Sequence, residues 1–464
     1  MRHLPLAVPV LSLVLAGVAL GATNPAAPST ADEAAMLGRL YGEALAHGQA
    51  YDNLRTLVAE HPGRLAGSDS LNGAIAWGVA TLTDLGLDRV YIQPCMVPHW
   101  VRGAPESVTI QGDPEPLAAL ALGGSVATPT DGVTAEVIEL HSLKELAVLG
   151  TAKLAGKIVF FNRPMDPTLI NPGRAYGIAG DQRNHGPGAA SKYGVAAVLT
   201  RSLTEAHDDI PHTGTSSFAA NEHRIPCAAL STMASDRLSA ALAKDPHTKV
   251  TVAIHSEWLP DAPSSNVIGE IKGSEFPNQI ILVGGHLDSW DIAPGAHDDG
   301  SGVVQSIEVL RLFKALGIKP RHTIRCVLFV NEENGSRGSA AYAAAAQAST
   351  DRHILAIETD NGGFQPKGFR IGNPAHTVAA KAARWLPLFQ PYGIYDISEG
   401  SGGADVEPLL VLGVPAGELT PDSQRYFDYH HTRIDSIDKV NPRELHLGAA
   451  SLAALIWLVD AEGL

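Results

Sequence analysis

One short stretch of the sequence, "GGHLDSWDIAPGAHDDGSG" at residues 284–302, concentrates side chains that can bind a cation. It contains His286, Asp288, Asp298 and Asp299, and it follows directly on the apolar run "IILV". Imidazoles and carboxylates without a cysteine suit zinc or a similar divalent ion in a catalytic site, because closed structural sites favour thiolates. The stretch is therefore either a solvated loop or part of such a site.

Further donors follow later along the chain. They are Glu332 and Glu333 in "NEENG", Asp360 in "IETD", and His430 and His431 in "YHHT". Taken singly, such residues are ordinary, since an acid before a helix is commonly an N-cap. Converging carboxylates, however, repel one another and raise each other's pKa values unless a cation compensates them. The set has more donors than one four-coordinate ion with an open position can use, so it predicts two metal ions that share a bridging carboxylate.

The apolar runs before these donors predict the strands that position them. From "SSNVIGEIKG" onward, strands alternate with helices that begin near Gly302, Ser336, Pro374, Ala404 and Asn441. The predicted strands are "NVIGEIK", "QIILVGG", "HTIRCVLFV", "HILAIETD", "GFRIG" and "VPAGEL". The alternation predicts an α/β fold with a mostly parallel or mixed sheet sandwiched by helices. In such folds functional groups gather beyond the carboxyl ends of the strands.

The earlier part of the chain predicts other elements. Helical patterns cover residues 34–60 and 70–85, and "DRVYIQPCMVPHWV" is predicted to be extended. Residues 126–257 show a smaller α/β pattern, with the strand-like runs "AEVIEL", "GKIVFFN", "VAAVLT", "IPCAAL" and "KVTVAIHS". Between them, "PMDPTLINPGRAYGIAGDQRNHG" is predicted to be a long loop outside the core. Because no cluster of histidines and acids recurs here, this unit is expected to shape or cover a site.

Composition narrows the class of protein. A chain of 464 residues predicts two domains, and its net charge of −15 without a Lys/Arg run argues against nucleic acid as a partner. Residues 1–22 have a basic start, an apolar run and small residues at the end, so we expect an export signal peptide and a secreted or periplasmic protein. No later run is expected to span a membrane.

Three cysteines allow at most one disulfide. Cys326 lies in an apolar strand and is expected to be a small buried hydrophobe. Cys95 and Cys227 could pair in an oxidising compartment. Stability is therefore expected to come mainly from packing.

The motifs "GGHLDSWDIAPGAHDDGSG", "NEENGSRGSAAY", "IETDNGG" and "YHHTRIDSIDKV" resemble, in this order, those of the M28 family of dizinc peptidases. "HPGRLAGSDS" resembles an upstream segment of the family, and residues 126–257 resemble its inserted protease-associated (PA) domain. The resemblance implies a discontinuous peptidase domain at residues 32–125 and 258–464. It also implies two zinc ions per chain, a homodimer, and dipeptides or short peptides as substrates.

The resemblance further implies a role for each donor. The five implied zinc ligands are Asp298 as the bridge, His286 and Asp360 on one ion, and Glu333 and His431 on the other. Glu332 would be the general base, and Asp288 would orient a ligand imidazole.

Two of these assignments have a competitor. Asp299 could replace Asp298, although the following "GSG" favours Asp298. His430 competes with His431, and the following "TRIDS" favours His431.

The sequence points to substrate-binding residues less specifically than to the metal ligands. Gly402, Gly403 and Asp405, in the loop "SEGSGGADVEPLL", could approach a bound peptide, as could Asn361 and Tyr429 beside the implied ligands. An ordinary loop and packing residues explain them equally well.

Several functions remain in competition. The first is an exopeptidase for dipeptides or short peptides, and the second is an aminopeptidase of the same family for longer peptides. A non-catalytic, receptor-like binding protein on this scaffold would lack ligands, and a single-zinc glutaminyl cyclase would lack the inserted domain. Serine hydrolases and thermolysin-like proteases are excluded, because no GxSxG follows a strand and no HExxH occurs.

Overall fold

The computed structural model describes residues 29–373 and 376–464 of the chain. The signal peptide predicted at residues 1–22 lies outside the described residues. The α-helices, numbered α1 to α14 in chain order, are Thr30–His47, Ala50–Glu60, Asp69–Asp84, Lys144–Leu154, Pro172–Ala179, Asp181–Asn184, Gly186–Ser191, Thr232–Lys244, Ser301–Ala315, Arg337–Ala348, Val378–Phe389, Glu407–Val411, Tyr426–Tyr429 and Pro442–Glu462. The strands β1 to β15 are Arg89–Val101, Ser107–Ile110, Ala119–Ala121, Val133–Leu140, Ile158–Phe161, Ala197–Arg201, Cys227–Leu230, Lys249–Ala253, Glu257–Ile271, Phe276–His286, His322–Phe329, Arg352–Glu358, Pro366–Gly372, Asp396–Ser398 and Ala416–Pro421.

Eight strands form the larger sheet, in the order β1-β9-β11-β10-β12-β15-β13-β14. Its centre is parallel, because β10 pairs in parallel with both β11 and β12, whereas β1 and β9 at one edge pair antiparallel. The predicted α/β fold with a mixed sheet is therefore confirmed. The sequence prediction missed β14, a strand of three residues at the opposite edge.

Both faces of the larger sheet are buried, as the continuous apolar runs of its central strands require. Ile281 and Val283 of β10 face the main core, which α1, α2, α9, α11 and α14 cover. The side chain between them, Leu282, packs on the opposite face with Val327 and with Leu409 of α12. The sheet is thus sandwiched by helices, and its loops are left to form a site at the carboxyl ends of the strands.

Helix α14 begins where the sequence predicts it. The Oδ1 atom of its N-cap, Asn441, accepts hydrogen bonds from the backbone N–H groups of Arg443 and Glu444. With a mean hydropathy of 1.4, the helix is long and apolar enough to cross a membrane. This differs from the expectation that no run after the signal peptide could span a membrane. However, 72% of its apolar window is buried, and the helix packs on α9 and α1 as a core helix does.

The helical pattern at residues 34–60 is divided into α1 and α2 at Gly48. A Cβ atom at Gly48 would lie only 2.3 Å from the carbonyl oxygen of Ala44 and 2.9 Å from Nδ1 of His446. The close approach to His446 explains why the residue at the break has no side chain. Helices α11 and α12 begin a few residues later than predicted.

Seven strands form the smaller sheet, in the order β2-β8-β4-β5-β6-β7-β3. The strand-like runs predicted within residues 126–257 are all present, but β2 and β3 also belong to this sheet and precede residue 126. Strand pairing therefore starts the smaller unit at Ser107 and ends it at Ala253, and "smaller unit" denotes residues 107–253 below. The sequence pattern missed β2 and β3 because they are short and lie in a Gly/Pro-rich region.

The long segment predicted as a loop outside the core is partly helical and partly buried. It carries α5 and α6, and its Ala175 and Ala179 side chains are buried. An apolar cluster shared by the smaller unit and the rest of the chain explains this burial; it consists of Met165, Ala175, Ala179, Leu203, Phe364, Tyr426 and Phe427. The prediction failed because the partners of this segment lie on a distant part of the chain.

All three cysteines are free thiols, so the possible disulfide between Cys95 and Cys227 does not form. Cys227 and Cys326 are buried, and burial raises the pKa of the Cys227 thiol to about 12.

Candidate metal centre

The predicted donors meet at one edge of the larger sheet. His286 ends β10, Glu332 and Glu333 follow β11, and Asp360 follows β12. These three strands are parallel neighbours, so their carboxyl ends open onto the same edge. Asp298, just before α9, completes the set on this side.

Asp298 lies at the centre of the cluster, with its two carboxylate oxygens directed to different partners. Its Oδ1 atom is 3.2 Å from Nε2 of His286, which in turn is 3.5 Å from Oδ1 of Asp360. Its Oδ2 atom is 3.4 Å from Nε2 of His431 and 3.5 Å from Nε2 of His430. Asp298 is thereby shared by two groups whose donor atoms are spaced as metal ligands are.

Glu333 lies beside the second of these groups, which consists of Asp298, His430 and His431. Its Oε2 atom lies 3.1 Å from Nε2 of His431. The residue is almost fully buried, as is Asp298. The structure thus brings together all five residues that the family resemblance implies as metal ligands.

Several donor atoms of the cluster are buried without a hydrogen-bond partner among the residues that the structure describes. They are Nε2 of His286, Oδ2 of Asp298, Oε1 of Glu333 and Oδ1 of Asp360. Buried polar atoms are costly when unpaired, and several carboxylates in one place are more costly still. A divalent cation bound among them would satisfy these atoms and balance their charge, so the residues fit a metal.

The geometry separates Asp298 from its competitor Asp299. The Asp299 carboxylate accepts hydrogen bonds from the backbone N–H groups of His286, at 3.0 Å, and of Gly302, at 2.9 Å. Both of its oxygens therefore accept from the backbone, one at the end of β10 and the other at the start of α9. Asp298 alone of the two directs its carboxylate to the histidines.

His430 and His431 are less completely separated. Their rings stack with centroids 3.5 Å apart, and both Nε2 atoms face Asp298. Only His431 also contacts Glu333, while His430 is surrounded by the rings of Tyr176 and Tyr426. The geometry thus favours His431 as the donor.

Asp288 orients its neighbours in a way that differs from the expectation. Nδ1 of His286 lies 3.0 Å from the backbone oxygen of Asp288 but 3.7 Å from its carboxylate. The carboxylate instead accepts hydrogen bonds from the backbone N–H groups of Glu332, at 3.1 Å, and Glu333, at 3.3 Å. Asp288 therefore fixes the imidazole through its backbone and the two glutamates through its side chain.

Burial and mutual repulsion shift the titration of the cluster. The pKa of Glu332 is held well above its ordinary range by burial, and Asp360 raises it further. Burial likewise raises the pKa of Glu333, and Asp298 adds to the shift. For His431, burial lowers the pKa well below its ordinary value, so the imidazole is neutral. A neutral imidazole is the form that ligates metal.

Sequence reasoning missed two residues that support the cluster. The Asp435 carboxylate accepts hydrogen bonds from the backbone N–H groups of His297, at 2.7 Å, and Asp298, at 3.0 Å. The buried Arg64 guanidinium donates to the backbone oxygens of Leu287, Pro294 and Gly295. Both lie in segments already noted, "TRIDS" and "GRLAGS", but their partners are backbone groups that no sequence pattern displays.

A cavity of about 870 Å³ opens onto the donors. Asp298, Glu332, Glu333, Asp360, Asn361, His430 and His431 line one side of it. Tyr176, Arg183, Phe218 and Arg224 of the smaller unit line the other side. The smaller unit therefore forms a wall of the site, as its lack of a donor cluster predicts.

The proposed substrate contacts are only partly at this cavity. Asn361 lines it and donates a hydrogen bond to Glu418, at 3.1 Å. The loop at residues 402–405 packs on the end of β12, where the backbone N–H of Asp405 donates to the buried carboxylate of Glu358, at 2.8 Å. A Cβ atom on Gly403 would lie 2.4 Å from this same carboxylate, so the glycine permits that contact.

Tyr429, the remaining candidate, also packs away from the cavity. Its ring stacks with those of His297 and Phe364. Among the described residues that line the cavity, Gly402, Gly403, Asp405 and Tyr429 do not occur.

Comparison with known proteins is consistent with this architecture. Residues 266–456 match the model of Peptidase family M28. The chain is 34% identical over 421 residues to carboxypeptidase Q from Bos taurus, a match that covers 90% of this chain and 86% of the bovine protein. The crystal structure of a Peptidase M28 precursor from Shewanella amazonensis has a TM-score of 0.88 at 34% identity, covering 93% of this chain and 97% of that one.

The fold also recurs at lower identity. BSAP, a zinc aminopeptidase from Bacillus subtilis, has a TM-score of 0.64 at 20% identity, covering 89% of this chain and 94% of that one. On the similarity to carboxypeptidase Q and to the Shewanella structure over most of its length, the chain belongs to peptidase family M28 and is a metallo-exopeptidase.

Proposed function

We propose that this protein is an exported, zinc-dependent exopeptidase that hydrolyses dipeptides or short peptides. The observation that carries the proposal is the position of Asp298, whose two oxygens face two separate groups of donors. Such a shared carboxylate is what a pair of metal ions requires as its bridge. The bovine relative is named a carboxypeptidase, which supports hydrolysis of peptides from an end.

The donors divide between two zinc ions. Asp298 would bridge them, His286 and Asp360 would complete one site, and Glu333 and His431 the other. Oxygen and nitrogen donors without thiolates support zinc in a catalytic role. The buried donor atoms that lack a hydrogen-bond partner in both groups support a cation at each. Bound zinc would polarise the peptide carbonyl and make water a stronger nucleophile.

Glu332 would move the protons of the reaction. Its carboxylate lines the cavity, and its backbone is fixed by the hydrogen bond to Asp288. A raised pKa suits a group that takes a proton from water and then gives it to the departing amine. Glu333 follows it directly but directs its Oε2 atom to His431, so one glutamate can face the metal and the other the water.

Among the proposed substrate contacts, Asn361 is supported by its place on the cavity wall. Gly403 and Asp405 would instead hold the Glu358 carboxylate, Gly402 would pack beside them against Val406 and Ala416, and Tyr429 would hold His297 in place.

We also propose the domain organisation that the family resemblance implies. The smaller unit would be a PA-like domain inserted into a discontinuous peptidase domain, with boundaries near residues 126 and 257 widened to include β2 and β3. Residues 1–22 would be removed on export to the periplasm or the medium, and the mature protein would be a homodimer.

A second candidate is an aminopeptidase that acts on longer peptides. The cavity is lined by polar and aromatic side chains from both units, and this lining is compatible with either end of a peptide. A non-catalytic binding protein is disfavoured, because all five donors and Glu332 converge.

A panel of blocked and free peptides tests the function. We expect free dipeptides to be cleaved, N-acetylated dipeptides to be cleaved only by a carboxypeptidase, and dipeptide amides only by an aminopeptidase. Exhaustive chelation is expected to abolish hydrolysis, and zinc to restore it. Hydrolysis that survives chelation would contradict the proposal.

A further inference from the structure

A loop of the smaller unit, at His212 and Thr213, contacts the adjacent residues His430 and His431 of the candidate metal centre. Nδ1 of His212 lies 2.8 Å from the backbone oxygen of His430. The backbone N–H of Thr213 donates to the backbone oxygen of His431, at 3.1 Å, and Nδ1 of His431 lies 3.2 Å from the backbone oxygen of Thr213. These three contacts connect residues more than 200 positions apart.

The contact at Nδ1 determines which nitrogen of His431 is free. A backbone oxygen can only accept, so Nδ1 carries the proton and donates it to Thr213. Nη1 of Arg183 lies 3.4 Å from this oxygen and also 3.4 Å from Nδ1 of His431, but the Thr213 oxygen, at 3.2 Å, is the nearer partner of Nδ1. Nε2 is then left with its lone pair directed toward Asp298 and Glu333, where a metal would bind.

The backbone at His431 needs external support. Its φ is 63°, in the left-handed region that residues with a Cβ atom rarely adopt. The bond from Thr213 to the His431 oxygen, together with the bond from His212 to the preceding carbonyl, fixes both peptide groups around this conformation.

The loop that makes these contacts is itself rigidly held. His212 and Thr213 are buried. The His212 backbone N–H donates to Oγ of Ser202, at 2.9 Å, and the Thr213 hydroxyl donates to the backbone oxygen of Ala121, at 2.9 Å. Burial lowers the pKa of His212 to about 4, so this imidazole is neutral, with one proton to donate.

We propose that His212 and Thr213 form a positioning clamp, by which the smaller unit sets the tautomer and orientation of His431 for metal binding. The inference rests on the proposed two-metal function and extends it, since it makes the half of the site around His431 dependent on the smaller unit. The half around His286 and Asp360 does not touch the clamp.

Three variants separate positioning from simple packing. His212→Leu removes the donated hydrogen bond but keeps most of the side-chain volume. His212→Asn restores a donor near the position of Nδ1. Thr232→Val is a matched control, because Thr232 is a buried hydroxyl of the same unit that bonds to Ala206 and Asp208 and not to the histidines.

The measurement is zinc affinity and stoichiometry of the full-length mature protein, by competition with a chromogenic chelator. In His212→Leu we expect the affinity for one of two ions to fall about 10–100-fold, as for other residues that orient metal ligands, and the other ion to be unaffected. His212→Asn and Thr232→Val should bind both ions as the wild type does. Melting temperatures of the metal-free proteins report whether each variant is folded.

The possible failures are distinct. A wild-type protein that binds no zinc would overturn the proposed function and the clamp with it. If the wild type binds two ions and His212→Leu binds both equally well, only the clamp is overturned. Equal losses in His212→Leu and Thr232→Val, or no recovery in His212→Asn, would also overturn it, because His212 would then act through general stability.

Discussion

The Oε2 atom of Glu333 lies 3.1 Å from Nε2 of His431. The adjacent Glu332 makes no such contact with a histidine among the described residues, although its carboxylate opens onto the same cavity. Two consecutive glutamates of one loop thus have different surroundings, and this difference can be tested by the same substitution at both positions.

Glu332→Gln is expected to keep both zinc ions and to lose turnover by several orders of magnitude, because an amide cannot accept the proton from water. Glu333→Gln is expected to lose zinc first, since it removes a charged donor. Elemental analysis and kcat on a free dipeptide distinguish the two. Near wild-type turnover in Glu332→Gln would show that the base is misassigned.

Asp298 and Asp299 provide a second matched pair. Asp298→Asn should reduce bound zinc sharply, because it removes the charged donor that faces both groups of ligands. Asp299→Asn should instead lower the free energy of unfolding by about 2 kcal/mol, since its carboxylate accepts two backbone hydrogen bonds. Denaturant unfolding of the metal-free proteins and zinc analysis check both. The opposite pattern would make Asp299 the bridge.

Removal of zinc should also lower stability, because a ligand that binds only the folded protein stabilises it by mass action. At a zinc concentration 1,000 times the dissociation constant, the effect is about 4 kcal/mol per site. We expect chelation to lower the melting temperature and zinc, but not magnesium, to restore it. Identical melting curves with and without zinc would argue against resident metal ions.

Glu308, a buried residue of α9 remote from the donors, predicts a pH dependence of stability. Burial raises its pKa from 4.5 to about 7, although Arg311 beside it opposes the shift. Between these values the folded state binds the proton more tightly, so stability falls as pH rises from about 4.5 to 7, by about 3 kcal/mol, and then levels off.

The substitution Glu308→Gln should remove this contribution. In metal-free protein, the difference in unfolding free energy between variant and wild type is expected to move in favour of the variant as pH rises from 5 to 8. Glu43→Gln serves as the control, since Glu43 bonds to the same arginine, at 3.0 Å, from a more exposed position. Parallel pH profiles for Glu308→Gln and wild type would contradict the prediction.

The sequence pattern could predict that His286, Glu333 and Asp360 lie close together because each follows an apolar strand, whereas Asp298 precedes α9 and His431 follows α13. His286, Glu333 and Asp360 had to meet once their strands were parallel neighbours. The competing Asp299 could not be excluded beforehand, because its backbone partners become visible only when the turn into α9 is folded.

The wall of the cavity was beyond sequence reasoning for a different reason. Tyr176 and Arg183 lie in a segment rich in glycine and polar residues, which has no helical or strand periodicity of its own. Its order comes from contact with Phe427, whose ring stacks on Tyr176 with centroids 4.6 Å apart. A pattern of local residues cannot reveal a partner that is 251 positions away in the chain (Tyr176 to Phe427).

The apolar cluster between the smaller unit and the rest of the chain has a consequence for how the protein denatures. Met165 and Ala175 come from the smaller unit, and Phe364 and Phe427 from the chain beyond it, yet all four are buried in one cluster. Separating the smaller unit from the rest of the chain would expose these side chains to water, so neither part can unfold without destabilising the other. Calorimetry should therefore show one cooperative unfolding transition. The smaller unit expressed alone should expose an apolar surface and aggregate.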